Sequence, residues 1–284
     1  MLKVLADRPI EPGLHAILAH AKVATQALGI GMFVGGAMAR DIMLTHVHGQ
    51  AVRRATRDVD IGLYIESWER FAALKDRLAA TGAFFEVQGM PHRLHYLRRG
   101  GTPLDLIPFG GIAGEDKTIT WPPGHDVLLN VAGFQEGLDS ADLVDLGAGL
   151  AVHVCTLPSL SVLKLLAWRD RGNQNNKDAT DFLALAQAYA SAGNTDRLYE
   201  EEAGLLEKAN HDPDVAGAAL LGKDAATQCS PETAKQVRSI LEDLERMLDQ
   251  LLRVQGQLAS DREEHRVRAF IMGYRDGFLD QSGG

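Results

Sequence analysis

The fold follows from one stretch of the chain, Thr56-Arg57-Asp58-Val59-Asp60-Ile61-Gly62-Leu63. Its alternation predicts a β-strand that directs Asp58 and Asp60 to one face and Val59 and Ile61 to the other. Two like charges at this spacing repel each other, and a fold accommodates them when a cation lies between them. The alternative is a solvated strand edge that carries two acids. The segments on either side of the stretch decide between these interpretations.

A glycine turn precedes this strand. Residues 32–34 form an apolar run that predicts a buried strand, Gly35-Gly36 follows directly, and 37–44 has a helical pattern. Glycine lets the backbone approach a ligand closely, and free N–H groups at the start of a helix attract phosphates. A tight turn without a ligand is the alternative.

A third acid, Asp105, lies between aliphatic residues in a predicted strand, 104–107. Together with Asp58 and Asp60 it would form a three-carboxylate site. Two Mg²⁺ ions, or Mn²⁺ in their place, need such a shared cluster to activate a hydroxyl and to stabilise a leaving pyrophosphate. The alternative for Asp105 alone is the polar side of an edge strand.

Composition narrows the class of protein. The 284 residues carry a formal net charge of -9, which does not favour non-specific binding to duplex nucleic acid. The segment 45–55 is polar and basic and predicts a mobile loop that contacts a triphosphate or an RNA end; a solvated loop is the alternative. Two cysteines predict neither a disulfide framework nor a thiolate zinc site. We expect a cytoplasmic protein with no membrane span and no signal peptide.

The chain divides near Thr156 into an α+β half and a helical half, predicted as residues 1–155 and 156–284. In the first half the pattern predicts a small mixed sheet flanked by helices. Its other elements are a helix Pro12–Leu28, a helix from Ser67 to about Ala80, strands 84–88 and 92–98, a turn at Gly100-Gly101, an irregular segment 110–124 and two strands within 143–154. The second half predicts helices Leu157–Arg171, 178–190 and 237–252, with breaks near Gly193, Asp212-Pro213, Gly222 and Ser230-Pro231.

The order of these motifs resembles the polymerase-beta nucleotidyltransferase superfamily. The matching segments are FVGGAMARD (33–41), RDVDIGL (57–63) and PLDLIP (103–108). The resemblance implies that Gly35 and Gly36 hold a triphosphate, that Asp58 and Asp60 bind two metal ions, and that Asp105 serves the catalytic metal and the attacking hydroxyl. The distance from Gly36 to Asp58 is longer than in the tightest versions of the motif, and the inserted residues are the basic loop.

A second signature narrows the resemblance to the abortive-infection nucleotidyltransferase toxins of type IV toxin–antitoxin systems. It consists of PSLSVLKLLAWRDR (158–171) followed by KDATD (177–181). The resemblance implies that Lys164 and Arg171 lie near the nucleotide phosphates and that Asp178 or Asp181 orients them. It also implies a nucleoside triphosphate substrate and an antitoxin partner.

Each of these residues has a simpler alternative. Lys164, Trp168 and Arg171 share one helix face, which predicts a cationic stripe or else a solvated basic face with Trp168 at its border. Asp178 and Asp181 could equally form surface ion pairs with Lys177 or Arg171.

Arg40 and Arg57 are candidate phosphate ligands, and the alternative for Arg40 is a pair with Asp41 on an exposed helix face. The loop also carries Arg53, Arg54, His46 and His48, and we interpret both histidines as plain loop residues and Cys155 as a buried small hydrophobe.

The sequence therefore predicts a Mg²⁺-dependent enzyme that transfers a nucleoside monophosphate from a nucleoside triphosphate to an acceptor. The favoured acceptors are an RNA end, in particular a tRNA 3′ end, or a protein. One alternative is a small-molecule nucleotidyltransferase of the antibiotic-modifying type. The other is a nucleotide-binding or interaction protein with little catalysis.

Overall fold

The computed structural model describes residues 1–51, 56–122, 124, 128–254 and 261–281. They divide into two compact units, Met1–Thr156 and Leu157–Gly284. The first unit is a mixed sheet with helices and the second is helical, which confirms the predicted α+β class. None of the helices in the described ranges is long and apolar enough to span a membrane.

The first unit is organised around one mixed sheet. Within the part of the chain that the structure describes, eight strands form this sheet in the order β1-β9-β10-β2-β3-β6-β5-β4. These strands are β1 (Leu2–Lys3), β2 (Met32–Gly35), β3 (Val59–Tyr64), β4 (Phe84–Val87), β5 (Met90–Tyr96), β6 (Thr102–Phe109), β9 (Asp142–Asp145) and β10 (Ala151–Val154). A separate pair, β7 (Thr118–Thr120) and β8 (Leu128–Asn130), is antiparallel.

The helices of this unit follow the predicted pattern with two exceptions. They are α1 (Pro12–Leu28), α2 (Gly36–Asp41), α3 (Trp68–Ala79) and α4 (Phe134–Asp139). The prediction for α1 is confirmed at both ends. The predicted helix 37–44 is instead the short α2 followed by a π-helical segment, Ile42–Val47, which takes up the first residues of the predicted loop. The elements β1, β7, β8 and α4 were not predicted.

The sheet is buried because its central strands are apolar on one face throughout. Val59, Ile61 and Leu63 of β3 are fully buried, and so is Leu104 of β6. The opposite face carries Asp60 and Gly62, and a Cβ on Gly62 would overlap the ring of Phe33. The glycine therefore makes room for an aromatic side chain beside the acid.

The second unit consists of helices α5 to α12. They are α5 (Leu157–Arg171), α6 (Lys177–Ala188), α7 (Thr195–Glu200), α8 (Ala203–Lys208), α9 (Pro213–Gln228), α10 (Pro231–Glu242), α11 (Leu244–Val254) and α12 (Asp261–Gln281). Asp212 caps α9 and Ser230 caps α10 through side-chain hydrogen bonds, so both predicted Pro-containing breaks are confirmed. A kink at Gly193 confirms that break as well.

Two predictions about these helices are wrong. Gly222 does not end a helix but lies within α9, where a Cβ would overlap the backbone carbonyl of Tyr274 in α12. The predicted single helix 237–252 is broken at Asp243, which has non-helical dihedral angles (φ -112°, ψ 49°) between α10 and α11. Apolar spacing continues across this residue, so periodicity alone does not reveal the break.

Candidate active site

Four neighbouring strands align the predicted site residues in one row. Asp60 of β3 pairs with Gly35 of β2 on one side and with Asp105 of β6 on the other. Asp105 in turn pairs with Arg93 of β5. Directly paired residues project from the same face of a sheet, so Asp60, Asp105 and Arg93 lie side by side on one face. The sequence predicted the two acids on adjacent strands but did not predict Arg93.

Asp58 lies just before this row. The predicted strand starts at Thr56, but β3 begins only at Val59, so Asp58 precedes it. The backbone N–H of Asp58 donates a hydrogen bond to Thr56 Oγ1 at 3.3 Å. Its side chain is partly exposed, as is that of Asp60. Both acids thus stand at the end of the sheet where β3 starts.

The glycine turn is fitted to Asp60. Gly35 ends β2 in an extended conformation, and Gly36 has a φ of +57°, in the left-handed region that favours glycine. A Cβ on Gly36 would also overlap the carboxylate of Asp60. Two independent restrictions therefore require glycine at position 36, and the second is direct contact with the candidate metal ligand.

Asp105 is held by Arg93 through two hydrogen bonds. Arg93 Nε donates to Oδ1 and Nη2 donates to Oδ2, each at 2.6 Å. The side chains are 27% and 11% exposed, respectively, so water competes little for the carboxylate. The hydrogen bonds that Arg93 donates to Asp105 raise the pKa of Arg93, and the charges of Asp58 and Asp60 raise that pKa further. Arg93 thus interacts electrostatically with Asp58, Asp60 and Asp105.

The carboxylates suit a hard divalent ion in their donor chemistry, since Mg²⁺ is bound by carboxylate oxygens together with substrate phosphates. However, both oxygens of Asp105 are taken by Arg93. Across the described residues, no group of three or more His, Cys, Asp or Glu side chains is arranged to hold a metal. The residues therefore fit Mg²⁺ chemically, but at Asp105 the ion would compete with Arg93 for the carboxylate.

The two candidate phosphate ligands of the first unit differ in exposure: Arg40 is buried and Arg57 is exposed. Arg40 is 4% exposed, and its Nε and Nη2 donate to Asp41 Oδ1 at 2.9 and 2.6 Å. Asp41 Oδ2 accepts the backbone N–H of Thr56 at 2.8 Å, so this pair ties α2 to the residues that lead into β3. The alternative is therefore confirmed in its pairing of Arg40 with Asp41 but wrong in its exposure, because both residues are buried. Arg57 is exposed, and Arg53 and Arg54 lie outside the described residues.

In the second unit, Lys164 is enclosed by the predicted acids. Its Nζ lies 3.1 Å from Asp178 Oδ1 and 2.6 Å from Asp181 Oδ2. Arg171 donates to Asp178 from Nε at 2.7 Å and from Nη2 at 3.1 Å. Burial raises the pKa of Asp178, but hydrogen bonds from Arg171 and the charge of Lys164 outweigh it and hold that pKa below its usual range. We call these four residues the Lys164 cluster.

The simple alternatives for this cluster hold only in part: Asp178 does pair with Arg171, but the carboxylate of this pair is buried. Lys164 and both aspartates are buried, so they form neither a solvated basic face nor a set of surface ion pairs. Trp168 is also buried, with Nε1 donating to Gln250 Oε1 at 2.6 Å and the guanidinium of Arg246 lying 5.0 Å from its ring centre. Trp168 is a packing residue of α5, while Lys164 is a buried cation held by acids.

The remaining residues are structural. His46 Nδ1 lies 2.7 Å from the carbonyl oxygen of Arg8, and burial lowers the pKa of His48, although the charge of Asp142 opposes this. Cys155 is fully buried, and this burial raises the pKa of its thiol. The interpretation of Cys155 as a buried small hydrophobe is confirmed.

The class of protein can now be stated. The chain has the α+β fold, the Gly-Gly turn beside a strand acid and the helical second unit of a nucleotidyltransferase, and it is an enzyme of that class. It belongs to the family described as "Nucleotidyl transferase AbiEii toxin, Type IV TA system", whose model matches residues 17–270. A comparison with curated proteins found no match.

Solved structures give distant likenesses. The antibiotic-resistance factor ANT(2'')-Ia in solution is 13% identical, with 71% of this chain and 99% of that chain covered and a TM-score of 0.38. An antigenic nucleotidyltransferase-like protein from Paracoccidioides brasiliensis is 17% identical, with 73% and 92% covered and a TM-score of 0.41. The Thermotoga maritima CCA-adding enzyme complexed with tRNA is 12% identical, with 96% and 82% covered and a TM-score of 0.26. Because these scores are low, family membership rests on the family match.

Proposed function

We propose that this enzyme transfers a nucleoside monophosphate from a nucleoside triphosphate to an RNA end or a protein side chain, with Mg²⁺ as cofactor and an antitoxin as its partner. The observation that carries the proposal is the row formed by Gly35, Asp60 and Asp105, with Gly36 against the Asp60 carboxylate. A backbone without side chains beside clustered acids suits a triphosphate that arrives with its metal ions.

Each residue has a role in this proposal. Asp58 and Asp60 would hold both metal ions, and Asp105 would hold the catalytic ion and accept the proton of the attacking hydroxyl. Bound Mg²⁺ supplies charge neutralisation at the α-phosphate and at the leaving pyrophosphate. Gly35 and Gly36 admit the triphosphate to the backbone, where positioning accounts for much of the acceleration.

The cationic residues are assigned to phosphates. Lys164 and Arg171 would bind nucleotide phosphates, and Asp178 and Asp181 would fix the direction of the Lys164 ammonium through the contacts described above. Arg57 is exposed next to Asp58 and is assigned to the acceptor or the triphosphate. An exposed arginine beside a metal site favours an acceptor with phosphate groups, which is the reason for placing RNA first.

The test is transfer of label from each nucleoside triphosphate, with Mg²⁺, into total RNA or cell lysate. We expect label in the RNA or protein fraction and a loss of about a thousandfold or more in Asp60→Asn, because metal-bound charge stabilisation is worth several kcal/mol in the transition state. Asp76→Asn, which changes an exposed aspartate of α3, is the matched control and should keep full transfer. Full transfer by a folded Asp60→Asn variant would refute the mechanism. Label in small molecules alone would favour the antibiotic-modifying type of acceptor.

A further inference from the structure

Arg93 has no part in the function proposed so far, yet it makes the closest contacts of any described residue to Asp105. The two antiparallel strands β5 and β6 set Arg93 directly opposite Asp105, so the contact is built into the register of the sheet. Both carboxylate oxygens accept from the guanidinium at 2.6 Å. This paired geometry is the strongest that a carboxylate makes with a side chain.

This contact conflicts with metal binding. An arginine keeps its charge at any pH a protein experiences, so proton loss cannot release Asp105. A guanidinium that donates to both carboxylate oxygens occupies one lone pair on each and places a positive charge where a divalent ion would bind, so the two cations compete for Asp105. Displacement of the guanidinium from Asp105 therefore favours metal binding there.

The structure offers a path for this movement. The pairing of β5 with β6 holds the backbone of Arg93 opposite Asp105, whereas the register with β4 shifts at this point of β5. The side chain of Arg93 is nevertheless 27% exposed, whereas that of Asp105 is 11% exposed. A rotation of the side chain can thus bring the guanidinium into solvent without breaking the sheet, and its N–H groups would remain close to the acids.

We propose that Arg93 is an internal counter-ion of the acids, which gives up Asp105 when metal and nucleotide arrive and then binds the phosphates of that nucleotide. This inference rests on the proposed function. It makes Arg93 a positioning residue that keeps the free enzyme from binding divalent ions alone and favours their entry together with a triphosphate. The exchange is favourable only when phosphate oxygens replace the carboxylate as acceptors for the guanidinium.

The experiment measures Mn²⁺ binding to the full chain by electron paramagnetic resonance, without nucleotide. In Arg93→Met we expect Mn²⁺ to bind about tenfold more tightly or better, because the ion no longer competes with a guanidinium for the Asp105 carboxylate. The KM for the nucleoside triphosphate should change in the opposite direction and rise about tenfold, because a phosphate ligand is lost. A purely structural defect would weaken both interactions.

Controls keep the test decisive. Arg98→Met removes an equal charge from an exposed position near the end of the same hairpin and should change neither quantity. The coupling between Arg93 and Asp105 is tested by the double variant Arg93→Met/Asp105→Asn, in which the gain in Mn²⁺ affinity should disappear. If Arg93→Met does not fold, Arg93→Lys keeps a charge without the paired geometry and should give a smaller gain in Mn²⁺ affinity.

The outcomes separate this inference from the proposed function. Equal Mn²⁺ affinity in Arg93→Met and the unchanged enzyme would overturn the role of Arg93, even if transfer still depends on Asp60. If Asp60→Asn and the unchanged enzyme bind Mn²⁺ equally and both transfer nucleotides, the proposed metal site itself fails. Tighter Mn²⁺ binding with a raised KM in Arg93→Met supports both.

Discussion

The replacement of Lys164 by Met is the sharpest test of the Lys164 cluster. Met keeps most of the length of the side chain and removes the charge that both acids of α6 contact. The side chains of Lys164, Asp178 and Asp181 are 9%, 3% and 12% exposed, so the acids are left with little access to water. Removing one partner of a buried ion pair costs about 3–5 kcal/mol in the free energy of unfolding. We expect about 3 kcal/mol, because Arg171 still compensates Asp178.

The loss should depend on pH in a defined direction. The pKa of Asp178 is lowered in the folded protein although burial alone raises it. The ionised carboxylate therefore stabilises the fold above its unfolded pKa of about 3.9, and this stability is lost as the pH falls through the folded pKa. Without Lys164, burial is opposed by Arg171 alone, so the folded pKa rises. Protonation then relieves the burial cost of the Asp178 carboxylate in the variant, and the difference between the variant and the unchanged protein should shrink towards about pH 4.

The assay is urea unfolding of the full chain, followed by far-ultraviolet circular dichroism at about pH 7 and about pH 4. Lys208→Met is the matched control, because Lys208 pairs with Asp280 on the surface, where both side chains are mostly exposed. That variant should unfold like the unchanged protein at either pH. A loss in Lys164→Met no larger than in Lys208→Met would refute the buried cluster, and an equal loss at both pH values would refute its electrostatic origin.

Two glycine substitutions have predicted outcomes with opposite controls. Gly36→Ala should lower nucleotide transfer about a hundredfold or more, because the new Cβ displaces the Asp60 carboxylate. Gly29 also has a positive φ but lies in open space, so Gly29→Ala should lower only the free energy of unfolding, by about 1 kcal/mol. Equal transfer in the two variants would contradict the role of Gly36. Gly277→Ala should destabilise the fold by about 1–3 kcal/mol, because the new Cβ overlaps a backbone carbonyl of α9. Gly204→Ala in α8, with open space around it, should stabilise the fold by about 0.5–1 kcal/mol, and urea unfolding that gives both the same sign would refute this packing.

The sequence predicted the acids of the candidate site because a strand has a period of two. Alternation assigned Asp60 to one face and its apolar neighbours to the other, and the structure has the same arrangement. The glycine turn was predicted because a buried strand, two glycines and a helical pattern follow one another within a few residues. These are local signals, and local chemistry suffices to recognise them.

Arg93 could not be predicted in the same way, because its role depends on the register of a hairpin. A two-residue turn at Gly100 and Gly101 would place Tyr96 opposite Asp105. The loop 97–101 instead takes left-handed conformations at Leu97 and Gly100, and this shifts the register so that Arg93 faces Asp105. A difference in loop conformation thus decides which side chain meets the acid.

Burial of the Lys164 cluster was missed for a related reason. Charged residues on a helix are usually exposed, and the spacing of Lys164 and Arg171 on α5 does not reveal that α6 brings two acids against them. Gly222 shows the same limit in an apolar setting, since its role is close contact with α12 rather than helix termination. A second helix determines both the burial of the Lys164 cluster and the role of Gly222. The sequence of one helix does not show which residues of another helix pack against it.

In both units a charged candidate ligand-binding residue already forms an ion pair within the protein. Asp105 is satisfied by Arg93 in the first unit, and Lys164 is satisfied by Asp178 and Asp181 in the second. Under the proposed function, neither a metal ion nor a phosphate then meets an unpaired charge at these residues, and each competes with an ion pair within the protein. A metal ion at Asp105 displaces the guanidinium of Arg93, and this guanidinium can then bind the phosphates of the triphosphate. The two ligands therefore stabilise each other's binding. We therefore expect divalent ions and the nucleotide to bind cooperatively, with a stronger coupling in the unchanged enzyme than in Arg93→Met.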